Sequence, residues 1–260
     1  MRPLEFETLL VSTQGPVGQL TLNRPEKLNA LSPMMLEELL RAARWFDSRP
    51  EVRVVIVAGA GRAFCAGFDL NFFGAAGSAP PGHVDADLGR LMTDQLANMR
   101  ALTIVAIQGR CVGGGLVIAA ACDLRVVADD AIFSIPEIDM GIPLAWGGIP
   151  RLVREIGPAM TRELVLDCRE FSAAEAQALG FVNRRVPAEK LADEAGAWAA
   201  RLAGKAGRLL EVTKRQVNAA TERLLSPAGA LSDADELLAA FGDPECREMS
   251  RNYLARRLKH

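Results

Sequence analysis

At 260 residues, half of them apolar, the chain can bury a large core as one domain or as a domain with an appendage. Its 30 basic and 32 acidic residues leave a formal charge of −2, which argues against nucleic-acid or membrane-surface binding as the main activity. Five scattered cysteines without CxxC spacing fit reduced core thiols, and with only His83 and His260 as histidines, acid–base work falls to carboxylates.

The N-terminal stretch from Met1 to Glu7 lacks an apolar signal core, and no run approaches the roughly 20 apolar residues of a membrane span, so a cytoplasmic protein is expected. Thr8 to Thr13 and Val17 to Asn23 read as strands of an opening hairpin around Gln14-Gly15-Pro16. A polar connector, Asn23 to Leu31, leads to a helix that starts at Ser32-Pro33, with serine as N-cap and proline at the first position, and ends near Asp47. Val52 to Ala58 is a continuous β-branched run, the mark of a strand covered on both faces. It enters Gly59-Ala60-Gly61, which suggests a dinucleotide fingerprint, but Phe64 stands at the third glycine position and no helix-forming stretch follows directly.

Gly74 to Gly82, with two prolines, reads as a flexible excursion able to cover a ligand, and a helix from about Val84 to Met99 leads back to a strand at Ile104. That apolar strand runs into Gly113-Gly114-Gly115 and then into an Ala-rich helix. Backbone N–H groups exposed at a glycine helix start favour developing negative charge, so the segment is a candidate oxyanion site; the alternative is a tight packing turn. Asp123 to Ala128 and Ala131 to Ser134 are further strands. Glu137 and Asp139 then sit in apolar company, where desolvation would raise a carboxyl pKa toward that of a general base; a solvated turn carboxylate is the alternative. Beyond Ile149 the pattern is mostly helical. One helix opens at Pro158, another has a capping box at Ser172 to Glu175, and Phe181 to Asn183 is a short strand or link. From Ala188 onward only helices are expected, at about 188–203, 207–225, 233–241 and from Asp243-Pro244, a tail that packs on a neighbour.

Together, Asn23 to Leu31, Gly61 to Leu70, Gly113-Gly114-Gly115, Cys122-Asp123, Pro136-Glu137 and Gly180 to Asn183 resemble the crotonase superfamily, the enoyl-CoA hydratase/isomerase family, from about residue 6 to 220. The resemblance implies an α/β fold, a crotonase-like spiral of ββα units over 1–195, with a C-terminal helical oligomerisation region at 196–260 that builds trimers or paired trimers. It implies an acyl-CoA thioester as ligand, with coenzyme A as part of the substrate and no separate cofactor or metal. Matching motifs assign the two oxyanion donors to the Phe68 and Gly114 N–H groups. They also assign the CoA and acyl lining to Leu28, Ala30, Ala66, Asp69, Leu70, Gly113 and Pro136. Lys27, Lys214 and Lys259 are candidates to face CoA phosphates, with a plain surface lysine as the alternative.

The carboxylates depart from the family's pattern. Its hydratases carry a glutamate two residues after the last oxyanion-loop glycine and another in the Pro-Glu motif; here those positions hold Val117 and Glu137. A single glutamate resembles the Δ3,Δ2-enoyl-CoA isomerase branch. The aspartate that dienoyl isomerases and dehalogenases carry near Ala145 and Trp146 is missing as well. Isomerisation is therefore the first expectation, hydration with a substitute acid the second, and a non-catalytic acyl-CoA-binding protein the third. Asp139 is read as part of an extended segment and is expected to be structural.

Overall fold

The computed structural model of the protein describes residues 5–72, 83–224 and 232–257; the excursion from Gly74 to Gly82 and Lys259 lie outside them. The hairpin forms as expected, β1 (Leu9–Gln14) pairing antiparallel with β2 (Val17–Leu22). In α1 (Pro33–Asp47), Ser32 Oγ accepts the Met35 N–H at 3.2 Å, so the cap and the proline act where the sequence puts them. β3 (Val54–Gly59) follows, then α2 (His83–Ala97), β4 (Leu102–Ile107), β5 (Arg110–Val112), α3 (Gly114–Ala121), β6 (Leu124–Ala128) and β7 (Ile132–Ser134). After β3 the chain turns through residues 60–67 without a helix, which ends the dinucleotide reading.

The strands divide between two sheets. β2, β3, β4 and β6 run parallel within a six-stranded sheet, whereas β5 and β7 pair in a second one, which the isolated Cys65–Cys111 bridge extends. Each turn of chain thus places one strand in the large sheet and the next in the small one, giving the α/β spiral of ββα units. Alternation along the large sheet explains its unbroken β-branched runs. Val55, Val57, Val105, Ile107 and Val127 face the core that holds α1 and α3, while Val54, Ile56, Ile104, Ala106 and Val126 face the opposite side. α6 (Leu191–Ala203) covers that side with Leu191, Ala195, Trp198 and Ala199.

α4 (Gly148–Asp167) is broken at Gly157 (φ 76°, ψ 165°), so Pro158 opens its second half, as the sequence suggests. Two short strands were not legible. β8 (Phe171–Ser172) pairs with β7 and precedes α5 (Ala173–Ala178), and β9 (Arg184–Val186) closes the large sheet on β6. Strands of two or three residues carry no measurable period, and it is the neighbouring strand that makes them extended.

The remaining helices, α7 (Gly207–Leu224), α8 (Asp233–Gly242) and α9 (Pro244–Arg257), return to the same chain. Lys214 of α7 is buried and donates to Asp123 Oδ2 at 2.8 Å and to the Ala101 carbonyl at 3.1 Å. This corrects its candidacy for a CoA phosphate, because the fold itself uses the ammonium. Asp233 of α8 accepts the Gly147 N–H at 2.7 Å, and Ser250 of α9 donates to the Met140 carbonyl at 2.5 Å. Both hold the segment that follows β7. The border between 1–195 and 196–260 falls inside α6.

A buried arginine fixes the far end of α3. Arg125 donates to the Ala119 and Cys122 carbonyls at 3.1 and 2.9 Å, to the Phe181 carbonyl, and to the Glu155 carboxylate. Arg125→Met strands these acceptors in the core and is expected to destabilise the protein by about 3 kcal/mol in chemical denaturation. Adding Glu155→Met should recover part of that loss, since it removes the unpaired charge; a double variant as unstable as the single one contradicts this account.

Candidate active site

The glycine turn is built by backbone that only glycine adopts readily. Gly113 has φ 49° and ψ −115°; its N–H donates to the Ser134 carbonyl at 3.0 Å, and its own carbonyl accepts from Leu116 and Val117 at 2.8 and 3.0 Å. The Gly113 amide is therefore spent, whereas among the described residues the Gly114 N–H donates to no protein acceptor. α3 opens at Gly114, which leaves that amide among the orphan donors of a helix start.

Leu31 sets the other candidate donor. Its N–H donates to the Gly67 carbonyl at 2.8 Å and its carbonyl accepts the Asp69 N–H at 2.9 Å, so the register passes over Phe68, whose N–H has no protein acceptor among the described residues. The two turns abut: a β-carbon on Gly114 would lie 3.1 Å from Leu31 Cδ1, and one on Gly67 would lie 3.2 Å from the Val112 carbonyl.

Glu137 stands at the same turn. A β-carbon on Gly113 would collide with its Oε1, so the carboxylate rests directly on the glycine backbone. Its Oε2 is buried without a hydrogen-bond partner among the described residues. Desolvation by this burial pushes the carboxyl up to about 7 from an ordinary 4.5. A buried acid with an idle oxygen and a pKa near neutrality has the properties of a general base. Asp139 is exposed, so the two acids do separate, but on a turn and not on an extended segment: the Glu137 carbonyl accepts from both Met140 and Ile142 at 3.0 Å. Pro136, half-buried, leads into that turn, its carbonyl also accepting from Met140.

Val117 is buried, and its Cγ2 would lie 3.0 Å from a β-carbon on Gly148, beside Leu144. The position where a first glutamate would stand is apolar.

Leu28, Ala30, Ala66, Asp69 and Leu70 are gathered by two residues whose part the sequence reading did not assign. Asn29, fully buried, donates to the Ala60 and Ala63 carbonyls at 2.8 and 2.9 Å and accepts the Arg24 N–H at 2.9 Å. Arg24 donates to the Ala30 carbonyl at 2.6 Å and pairs with Asp69 at 2.9 Å, while Ala66 donates to the Leu28 carbonyl at 2.9 Å. Leu28 and Asn29 are both left-handed, φ 50° and 55°, a strain these bonds hold. The Asp69 carboxylate is spent within the fold on Arg24 and Asn71. Lys27 is exposed. The signal for Asn29 and Arg24 lay in the connector from Asn23 to Leu31, but their distant partners Ala60, Ala63 and Asp69, more than thirty residues away, did not.

The chain matches the family model described as enoyl-CoA hydratase/isomerase over residues 12–259. It is 37% identical over 251 residues to a probable enoyl-CoA hydratase of Mycobacterium bovis, with 92% of this chain and 96% of that protein covered. A peroxisomal Delta(3,5)-Delta(2,4)-dienoyl-CoA isomerase of Arabidopsis thaliana is 36% identical over 190 residues, 69% of this chain and 68% of its own length. The crystal structure of an enoyl-CoA hydratase from Mycobacterium avium subsp. paratuberculosis superposes with a TM-score of 0.87 at 26% identity, covering 95% of this chain and 99% of that one. With a family match across nearly its whole length and relatives of this similarity, the chain belongs to the enoyl-CoA hydratase/isomerase family.

Proposed function

We propose that the protein isomerises a 3-enoyl-CoA to its 2-enoyl isomer by moving one proton. The thioester oxygen accepts from the Phe68 and Gly114 N–H groups, whose freedom from protein acceptors among the described residues supports this role. Glu137 takes the C2 proton, the electron pair passes into the thioester oxygen to give a dienolate, and Glu137 returns the proton at C4 as the C2–C3 double bond forms. The observation that carries the reading is the pairing of a buried carboxylate at Glu137, one oxygen of which has no hydrogen-bond partner among the described residues, with an apolar Val117 where a second acid would stand. One acid is enough to move a proton along an allylic system. Leu28, Ala30, Ala66, Asp69, Leu70, Gly113 and Pro136 then line the CoA and acyl path, and coenzyme A arrives as part of the substrate.

Hydration is the second reading, favoured by the names of relatives such as the Mycobacterium bovis protein. The purified enzyme is expected to convert 3-hexenoyl-CoA to conjugated product with a rise in enoyl-thioester absorbance, and to add water to crotonyl-CoA far more slowly. Faster hydration than isomerisation reverses the order of the two readings. Saturable CoA binding without either reaction would leave a carrier or sensor. We also read the C-terminal helices as the surface that assembles trimers or paired trimers, supported by the exposed Leu209 and Val217 of α7; a monomer in analytical ultracentrifugation removes that reading.

A further inference from the structure

No periodicity singles out Trp146, yet three separate features are arranged around its side chain. Gly89 lies inside α2, where glycine costs about 1 kcal/mol relative to alanine, and a β-carbon there would collide with Cε2, Cδ2 and Nε1 of the indole. A β-carbon on Gly114 would collide with the other edge of the ring at Cζ3. The backbone of Trp146 is itself left-handed, φ 62°, and its carbonyl is clamped by Thr93 Oγ1 at 2.9 Å and Arg151 Nη1 at 3.1 Å. Both donors are buried, and Arg151 is fixed in turn by Asp94 at 2.7 Å. Strain at a bulky residue persists only where its surroundings over-determine it. The indole is thus a rigid plate held between α2 and the turn that carries the Gly114 amide, and it meets the Phe68 ring edge-on with centroids 6.1 Å apart.

We propose that Trp146 is the specificity-determining residue for the acyl group, a fixed wall that restricts the site to short chains. The proposal rests on the acyl-CoA reading above, since it needs the thioester carbonyl at Gly114. An acyl chain that starts there meets the indole within its first few carbons. The ring cannot swing away, because Gly89, Gly114 and the clamped carbonyl define its place. Leu31, which shares the Gly114 contact with the indole, is apolar, as are Leu144 and Val117 at neighbouring Gly148, so the wall stands in apolar company. Discrimination by one methylene in such a pocket is typically about 10- to 200-fold.

The test is competition binding of a saturated series from acetyl-CoA to decanoyl-CoA, with free CoA as reference, on the full-length enzyme and its Trp146→Ala and Trp146→Phe variants. Wild-type affinity is expected to fall by about 10-fold or more per step once the chain outgrows the pocket. Trp146→Ala should recover the long members, and Trp146→Phe, which keeps a packed ring and guards against a folding failure, should shift the limit by less. Free CoA should bind all three alike. A length profile that both substitutions leave unchanged overturns the wall while the acyl-CoA site stands. Failure of the wild type to bind CoA or any thioester overturns the acyl-CoA reading and the wall with it.

Discussion

Glu137→Gln is expected to lower turnover about 10⁴-fold while leaving acyl-CoA affinity within a few-fold of wild type, because an amide of the same shape fills the site but takes no proton. The group is buried, lies against the Gly113 backbone and has one oxygen without a partner among the described residues. With burial pushing the carboxyl up to about 7, the ionised base forms only as pH passes neutrality. The acid limb of kcat/KM should therefore have its midpoint near 7 and disappear in the variant.

The same substitution makes a second, opposite statement about stability. A carboxyl with a raised folded-state pKa contributes fully below its unfolded value of 4.5, where both states are protonated, and that contribution is lost as pH rises to about 7. Above this window the wild type carries a buried charge at a cost of about 3 kcal/mol, which glutamine does not carry. Glu137→Gln should thus match wild-type stability at pH 4.5 and exceed it at pH 8. An inactive variant whose stability advantage does not grow with pH would mean that Glu137 is not held ionised in an apolar site.

Local chemistry made part of this legible in the sequence. Ser32-Pro33 and Ser172 to Glu175 act as caps because their bonds reach only three residues, and the β-branched runs of β3 and β4 report a sheet buried on both faces. Apolar neighbours made the carboxylate of the Pro-Glu pair a candidate beside the solvated-turn alternative, and the family resemblance decided between them. What escaped depended on distant partners. Lys214 sits on what reads as the polar side of an amphipathic helix, and the fold brings up Asp123 and the Ala101 carbonyl to hold it in the interior. The indole of Trp146 gains its meaning from Gly89 and Gly114, which a glycine count cannot associate with it. The sequence also led to an extended segment at Asp139, where a turn closed by Met140 and Ile142 turns the acid outward.

Gly113→Ala tests the contact on which the site is built. At φ 49° and ψ −115° any side chain is strained by about 1–3 kcal/mol, and the new methyl would occupy the place of Glu137 Oε1. Either the carboxylate moves off the turn or the turn rotates and misdirects the Gly114 amide. Loss of one oxyanion donor lowers kcat about 10²–10³-fold, and displacing a reacting group by about 1 Å costs about 10²-fold, so either response gives a loss of at least about 10²-fold. Strain alone is separated from this by Gly157→Ala in the break of α4, a glycine of positive φ (76°) whose β-carbon would meet nothing within 4 Å. Both variants should be less stable than wild type in thermal unfolding, but only Gly113→Ala should lose turnover. The loss belongs in kcat, with CoA affinity retained, because the connector from Leu28 to Ala30 is untouched. Should the two alanines slow the reaction equally, the Glu137–Gly113 contact is a packing detail, and the proton carrier must be sought elsewhere around the Gly114 turn.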